Sequence, residues 1–462
     1  MVGVPHSTGC SRCRERRIKC DKATPECSQC RRYGQPCPGY RRTFRFQDEG
    51  PGLERRHHSS AGRVPRPAPS PSDAARSIRD NALTMIRQYS SMCGDYSSAG
   101  SPTHILLERH HIQRFADLIR TAFPTMYYHN RFRATDRLDF PSYVIQDVGS
   151  HVFQDAAVAC LSSVYLAYLS QDAGLLKTSR QMYAQSLHEV ARALQTPDAM
   201  SDAMLSTMMM LSVYEMYAQT SDDAWVIHAD GVRRLMMSRG AQPHTRGMAR
   251  SCYIAYRGFL VATAVYKGKP CFLDGEEWQQ LSHRVGVEDA QKSNEWPLSV
   301  RASEVVFREI VKCPRYLSEA LELAYQYPSS SAIAAIPGLY QRVETTNSNL
   351  LQASINLREC MVRDRRSHSH QPHEDMMTGE SGPSLLVQGA ESTVSVLQSL
   401  LRRLARAASG HNGSSALSFR VVSELDRGPP AAPSNRIDFL AVTWLDRIAS
   451  SMGMMGTAIV QG

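Results

Sequence analysis

The feature that most constrains this chain lies near its start. Six cysteines, Cys10, Cys13, Cys20, Cys27, Cys30 and Cys37, are spaced C-x2-C-x6-C-x6-C-x2-C-x6-C. The pattern is a duplication: Cys10-Ser-Arg-Cys13 followed by Cys20 is echoed by Cys27-Ser-Gln-Cys30 followed by Cys37. Structural zinc takes four thiolate or imidazole ligands in a tetrahedron. One ion would leave two cysteines idle, and two separate ions would need eight ligands. Two Zn2+ that share two bridging thiolates are satisfied by six. Repeat symmetry makes the first cysteine of each half, Cys10 and Cys27, the bridges. Cys13 and Cys20 then complete one site, Cys30 and Cys37 the other. The block holds too few apolar residues for a core of its own, so metal binding is expected to fold it.

Charge points to what such a knot would meet. The chain has 462 residues and a formal net charge of +9. All of that excess falls within residues 1–72, and the remainder is neutral overall. From Cys10 to Phe46 there are 11 bases and 3 acids. Six thiolates around two Zn2+ remove two more charges, so the loaded block stays strongly positive. A basic end on a neutral body reads as a polyanion-binding module joined to something else. Arg14, Arg16, Arg17 and Lys19 follow Cys13 on one short helical stretch. An arginine-rich helix on a rigid knot can enter a major groove, where arginine pairs bidentately with guanine. Arg12, Arg14, Lys19, Lys22, Arg31 and Arg32 are placed to meet phosphates, which position a protein on double-stranded DNA without reading sequence.

The remaining six cysteines are scattered and read as buried thiols. Met1–Gly9 lacks the apolar core of a secretory signal. No stretch reaches the about 18 uncharged apolar residues of a membrane span, Met204 to Tyr217 coming nearest. The reading is therefore an intracellular protein with reduced thiols and no membrane partner. Residues 47–76 contain Gly50-Pro51-Gly52 and the proline-rich run from Arg63, with almost no large apolar residues, and are expected to be a disordered linker. No heptad run follows the cysteines.

From residue 77 to 462 the pattern predicts a large all-α domain. Leu176, Tyr183, Leu187, Val190 and Leu194 form one helical stripe that Thr196-Pro197 ends. Trp225, Ala229, Val232 and Met236 form another, begun by Asp222-Asp223 and ended at Arg239-Gly240. Ile105, Ile112, Phe115, Ile119 and Phe123 give a third. Met200 to Tyr217 is apolar all round and reads as a buried central helix. A loose loop is expected over residues 363–384, and a last helix from Asn435 to Met452.

The run Cys10-x2-Cys13-Arg14-x-Arg16-Arg17-Ile18-Lys19-Cys20-Asp21-Lys22-x2-Pro25-x-Cys27-x2-Cys30-x6-Cys37 resembles the fungal Zn2Cys6 binuclear-cluster domain of fungal transcription factors. The resemblance covers all six ligands, the basic helix and the proline of the connecting loop, and extends less sharply into the segment after Cys37. It implies a zinc-cluster DNA-binding domain over residues 8–46. In that family the pair falling on Arg16 and Arg17 reads a CGG-type triplet. His228-Ala-Asp-Gly231-Val-Arg-Arg-Leu235 through Gly240, and Phe272 through Trp278, look like the helical regulatory region of the same factors. The resemblance implies a nuclear, sequence-specific transcription factor of RNA polymerase II genes, regulating a metabolic or biosynthetic gene cluster. Many members dimerise through a coiled coil after the linker. None is visible here, so a homodimer would need another surface.

Other readings compete. The body is large enough to be an enzyme or a small-molecule receptor tethered by a structural knot, and a small-molecule effector is one partner it admits. It carries no H-E-x-x-H, P-loop, G-x-G-x-x-G after a strand or G-x-S-x-G, so no enzyme is expected. A zinc-stabilised adaptor that never touches DNA is the third reading. Met200, Met204, Met208, Met209, Met210 and Met216 could line an adaptable pocket, but such a run is usually core. His368, His370 and His373 read as a solvated loop rather than metal ligands. His110-His111 points two ways round a helix, and Asp222-Asp223 reads as a helix cap rather than a catalytic pair.

Overall fold

The computed structural model describes residues 10, 12–13, 16–21, 23, 26–38, 111, 113–119, 122–123, 140–293, 296–367, 382–410, 416–429 and 443–462. The expected linker, the three loop histidines, Arg14, Lys22, Pro25 and Cys93 lie outside them. The chain divides into two units, Met1–Ala68 and Pro69–Gly462.

In the first unit the described regular element is α1, Ser28–Arg32. Its N-terminus is capped twice. The Cys27 sulfur accepts from the Cys30 N–H at 3.3 Å, and the Ser28 N–H donates to both carboxylate oxygens of Asp21 at 3.1 and 3.2 Å. Hydrogen bonds from Ser28 hold the Asp21 carboxyl below its ordinary range. Arg31 and Arg32 fall in the last turn, where the helix dipole favours cations.

The second unit is a helical body. Its described helices are α2 (Phe140–Gln146), α3 (Val152–Ser170), α4 (Ala173–Ala193), α5 (Asp202–Ala218), α6 (Ala224–Arg239), α7 (Gly247–Tyr266), α8 (Glu276–Lys292), α9 (Pro297–Ile310), α10 (Cys313–Gln326), α11 (Ser330–Ser367), α12 (Gly382–Ala408) and α13 (Trp444–Ser450). Gln171 in the left-handed conformation ends α3, and the Asp172 carboxylate starts α4 by accepting from Gly174 and Leu175 N–H groups at 2.7 and 3.1 Å. Of the apolar stripe, Tyr183, Leu187, Val190 and Leu194 are buried and Leu176 is half-buried, and the chain leaves the helix before Pro197. Ser201 caps α5, accepting from the Met204 N–H at 3.0 Å. Almost every residue of α5 is buried, Met204, Met208, Met209, Met210 and Met216 among them. It packs on α3, α6 and α7. Met209 and Met210 also border a cavity of about 30 Å³ with Phe115, Phe140, Tyr256 and Phe259, room for a water or two.

Buried charge ties α7 to α8 and α9. Arg257 of α7 donates to both carboxylate oxygens of Glu304 of α9, at 2.8 and 2.6 Å, and Ser282 of α8 donates to the same group at 2.8 Å. Arg257 and Glu304 are 1% and 3% exposed. Losing water costs each charge, and the paired geometry offsets that cost, so removing either partner would leave the other buried and uncompensated. α11 packs on α9 and α12.

In several places the described residues depart from the sequence expectations. Helix fills both ends of the stretch read as a loose loop, since α11 runs through Ser367 and α12 begins at Gly382. Within α11, Asp364 is buried and accepts from the N–H and hydroxyl of Ser299 of α9 at 2.8 and 2.6 Å, which ties that end of the helix down. The last described helix is α13, which occupies only part of the span expected from Asn435 to Met452; residues 435–442 lie outside the described set. On either side of α13 in the chain, β1 (Phe419–Val422) and β2 (Ala458–Gln461) pair as a two-stranded antiparallel sheet, with Phe419 opposite Gln461. Asp223 stands at the start of α6 without a side-chain capping bond, its carboxylate accepting instead from the Tyr266 hydroxyl at 3.2 Å. α3, passed over in the sequence, is long and apolar enough to cross a membrane by length and composition, and 61% of that window is buried inside the body against other helices. The thiols of Cys160, Cys252, Cys271, Cys313 and Cys360 are buried, and burial raises all five, those of Cys271 and Cys313 to about 12.

Candidate metal centre and nucleic-acid interface

The six N-terminal cysteines converge. Their sulfurs fall into two overlapping groups of four, Cys10, Cys13, Cys20, Cys27 and Cys10, Cys27, Cys30, Cys37, each with all sulfurs within 4.8 Å of one another. Cys10 and Cys27 belong to both. The separations are 3.9 Å for Cys10–Cys27, 3.7 Å for Cys10–Cys30, 3.7 Å for Cys13–Cys27 and 3.9 Å for Cys27–Cys37. Sulfurs about 2.3 Å from one tetrahedral zinc stand about 3.8 Å apart. The residues therefore fit a binuclear zinc cluster, with Cys10 and Cys27 in the shared position. Cys10, Cys13, Cys27 and Cys30 are buried, and Cys20 and Cys37 are half-buried at the rim.

As neutral thiols these groups are crowded. Burial first, and hydrogen bonds among neighbouring sulfurs second, push the Cys30 thiol up to about 12, and Cys13 higher still. Zinc reverses that balance, because its charge stabilises the thiolates it binds. When bound, the two ions would supply the cross-links that a protein core supplies elsewhere.

Each half turns in the same way around its sulfurs. In the first, the Arg16 N–H donates to the Arg12 carbonyl at 3.1 Å and the Ile18 N–H to the Cys13 carbonyl at 3.0 Å. Arg17 between them is left-handed, φ 55°. In the second, the Gln35 N–H donates to the Cys30 carbonyl at 3.3 Å over Gly34, φ 67°. Both are Schellman closures of a short helical turn. Arg16, Arg17, Lys19, Arg31 and Arg32 are exposed, and Arg12 is half-buried. The Arg12 guanidinium donates to the Pro36 carbonyl, tying the first half to the second. The Arg16 guanidinium lies over the Tyr33 ring, 3.5 Å from its centroid. Sequence reasoning missed Tyr33. Its only sequence signal is that it holds the same place after Cys30 that Arg16 holds after Cys13.

In the body, the stretch from His228 to Gly240 forms most of α6. Burial works against the charge of Asp230, but hydrogen bonds from Arg233 at 2.8 Å and Arg234 at 2.7 Å, with Lys267 at 3.1 Å, hold its carboxyl well below the ordinary range. In the second stretch Phe272 meets Trp278 edge to face at 5.0 Å. Asp274 pairs with Arg315, yet burial raises its carboxyl to about 6.

Comparison with known proteins agrees with this division. Residues 8–46 match the fungal Zn(2)-Cys(6) binuclear cluster domain. Residues 105–266 match the fungal specific transcription factor domain, so Phe272–Trp278 falls beyond the match. An uncharacterized protein of Emericella nidulans is 33% identical over 247 residues, 52% of this chain and 50% of that protein. The Zn(2)-C6 fungal-type transcription factor afumD of Aspergillus fumigatus is 60% identical over 30 residues, 6% of this chain and 8% of its own. The chain thus spans half the length of the first relative and under a tenth of the second. No solved structure matches. With its cysteine cluster and its helical body, the chain thus carries a region similar to the fungal Zn(2)-Cys(6) binuclear cluster domain and another similar to the fungal specific transcription factor domain.

Proposed function

We propose that the protein is a nuclear, sequence-specific regulator of RNA polymerase II genes that reads a CGG-type triplet through its zinc cluster. In this reading Cys10, Cys13, Cys20, Cys27, Cys30 and Cys37 hold two Zn2+, with Cys10 and Cys27 bridging. Arg16 and Arg17 contact bases. Arg12, Arg14, Lys19, Lys22, Arg31 and Arg32 contact phosphate. Residues 8–46 are the DNA-binding domain, 47–76 the linker and 77–462 the regulatory body, which controls a metabolic or biosynthetic gene cluster.

The observation that carries the reading is the joint placement of a buried sulfur cluster and exposed arginines on the turn that leaves it. Arginine offers planar paired donors to guanine O6 and N7. A knot that only folded a protein contact would have no use for them. Any homodimer contact and any small-molecule effector are assigned to the body. An effector near Met209 and Met210 would have to displace those flexible side chains.

The test uses the zinc-loaded full chain. Arg16→Ala or Arg17→Ala should cost ~1–3 kcal/mol on the preferred duplex and relax sequence choice. Unchanged binding and unchanged choice in both variants would overturn the assignment.

A further inference from the structure

The two halves of the cluster unit can be laid on one another by counting from Cys13 and Cys30. Arg16 then matches Tyr33, Arg17 matches Gly34, and Ile18 matches Gln35. Gly34 holds the left-handed position at φ 67°, the ordinary occupant because it has no Cβ to clash. Arg17 holds the matching position at φ 55° with a full side chain. Residues kept in that conformation against their own preference cluster where a side chain is needed for function.

The other matched pair meets across the unit. The Arg16 guanidinium carbon lies over the Tyr33 ring, 3.5 Å from its centroid, which is van der Waals contact with the ring face. Tyr33 is 55% exposed, so the ring is not there to fill a core. Stacking occupies the flat face of a guanidinium and leaves its in-plane N–H groups unspent. Among the described residues the Arg16 guanidinium has no hydrogen-bond acceptor, whereas that of Arg12 has already given an N–H to Pro36.

We propose that Tyr33 is a positioning and specificity-determining residue of the DNA reader. Its ring, carried by the second half, holds the Arg16 fork oriented before DNA arrives. This rests on the DNA-reading function proposed above. An unheld arginine must freeze its rotamers on binding. It can also swing to a nearby phosphate, a contact that carries no sequence information. Removing the stack should therefore lower discrimination between duplexes more than it lowers total DNA affinity.

The experiment compares zinc-loaded full-length wild type with Tyr33→Phe, Tyr33→Leu, Arg16→Lys and the Arg16→Lys/Tyr33→Leu pair. The probes are the duplex selected by the wild type, its single-base variants and an unrelated duplex, with zinc content measured for each protein. Tyr33→Phe keeps the ring face and should match the wild type. Tyr33→Leu should lower the ratio of preferred to single-base-variant binding about two- to fivefold, with zinc content and unrelated-duplex binding unchanged. Arg16→Lys keeps the charge but loses the plane, and Tyr33→Leu should have no further effect on top of it. A ratio unchanged in Tyr33→Leu, or an equal loss in Tyr33→Phe, would overturn the proposal while leaving DNA reading intact. So would an undiminished effect of Tyr33→Leu in the Arg16→Lys background, which reports on the stack even if the single variant binds less zinc. A wild type that selects no duplex would overturn the DNA-reading function and this proposal with it.

Discussion

Among the described residues of the cysteine unit, those withdrawn from solvent are sulfur: Cys10, Cys13, Cys27 and Cys30. In the helical body they are aromatics, branched aliphatics and methionines gathered in one large cluster. The arginines differ in parallel. In the unit Arg16 and Arg17 are exposed. In the body Arg257 is 1% exposed against Glu304, and Arg250 is 5% exposed between Glu288 and Asp289. A fold held by metal can leave its cations on the surface for a polyanion. A fold held by apolar burial must pair every cation it encloses. One residue type thus lies open to a partner in one region and serves architecture in the other.

The largest effect should come from removing what holds the first region. A chelator, or Cys10→Ser or Cys27→Ser, should abolish zinc retention and sequence selection. The thermal transition of the body should stay where it was, and a calorimetric scan of the full chain reports both. Loss of the body's transition on chelation would break the comparison.

The converse change is Glu304→Ala, which strands the buried Arg257. It should destabilise the body by about 3–5 kcal/mol while zinc content is retained, measured by denaturant unfolding. A destabilisation under 1 kcal/mol would show that water or another group replaces the carboxylate.

Arg17→Gly separates folding from reading inside the first region. Discrimination should fall by ~1–3 kcal/mol, yet zinc affinity should hold or rise, because glycine fits φ 55° without strain. A variant that reads as well as the wild type would remove Arg17 from the base contacts.

The smallest effect is a pH dependence of the body. Burial pushes His228 down to about 3, and burial together with the Arg239 charge pushes His244 down to about 4. Both stay neutral in the folded protein, while the unfolded chain takes up protons below about 6.5. Stability from their neutrality is complete above about 6.5 and is lost as pH falls towards their folded values, at up to ~1.4 kcal/mol per pH unit for each. Glu215 and Asp274, whose carboxyls burial raises, act with the opposite sign. The difference between wild type and His228→Gln isolates one histidine: the gap in unfolding free energy should narrow as pH falls from 6.5 to 5.

The site was legible in the sequence to the extent that it obeys counting. Six thiols and two tetrahedra leave two to be shared, and the duplication singles out Cys10 and Cys27, the two sulfurs common to both groups. The stack of Arg16 on Tyr33 obeys no count. It joins two halves by tertiary contact, and spacing carries no trace of which faces meet. In the body, helices announced themselves where one face is apolar, as in α4. The end of α11 did not, because Asp364 is polar in sequence and becomes buried against Ser299 of α9 only in the fold. The pairing of β1 with β2 was equally hidden, since each strand has four residues and neither alternates cleanly between buried and exposed.

The central claim is that a metal-built knot reads DNA sequence. Its most direct test is selection from a pool of random duplexes by the zinc-loaded full chain, run with and without chelator. The account predicts enrichment of a CGG-type triplet that disappears when zinc is removed. No enriched sequence from a fully zinc-loaded protein, or enrichment that survives chelation, would contradict it.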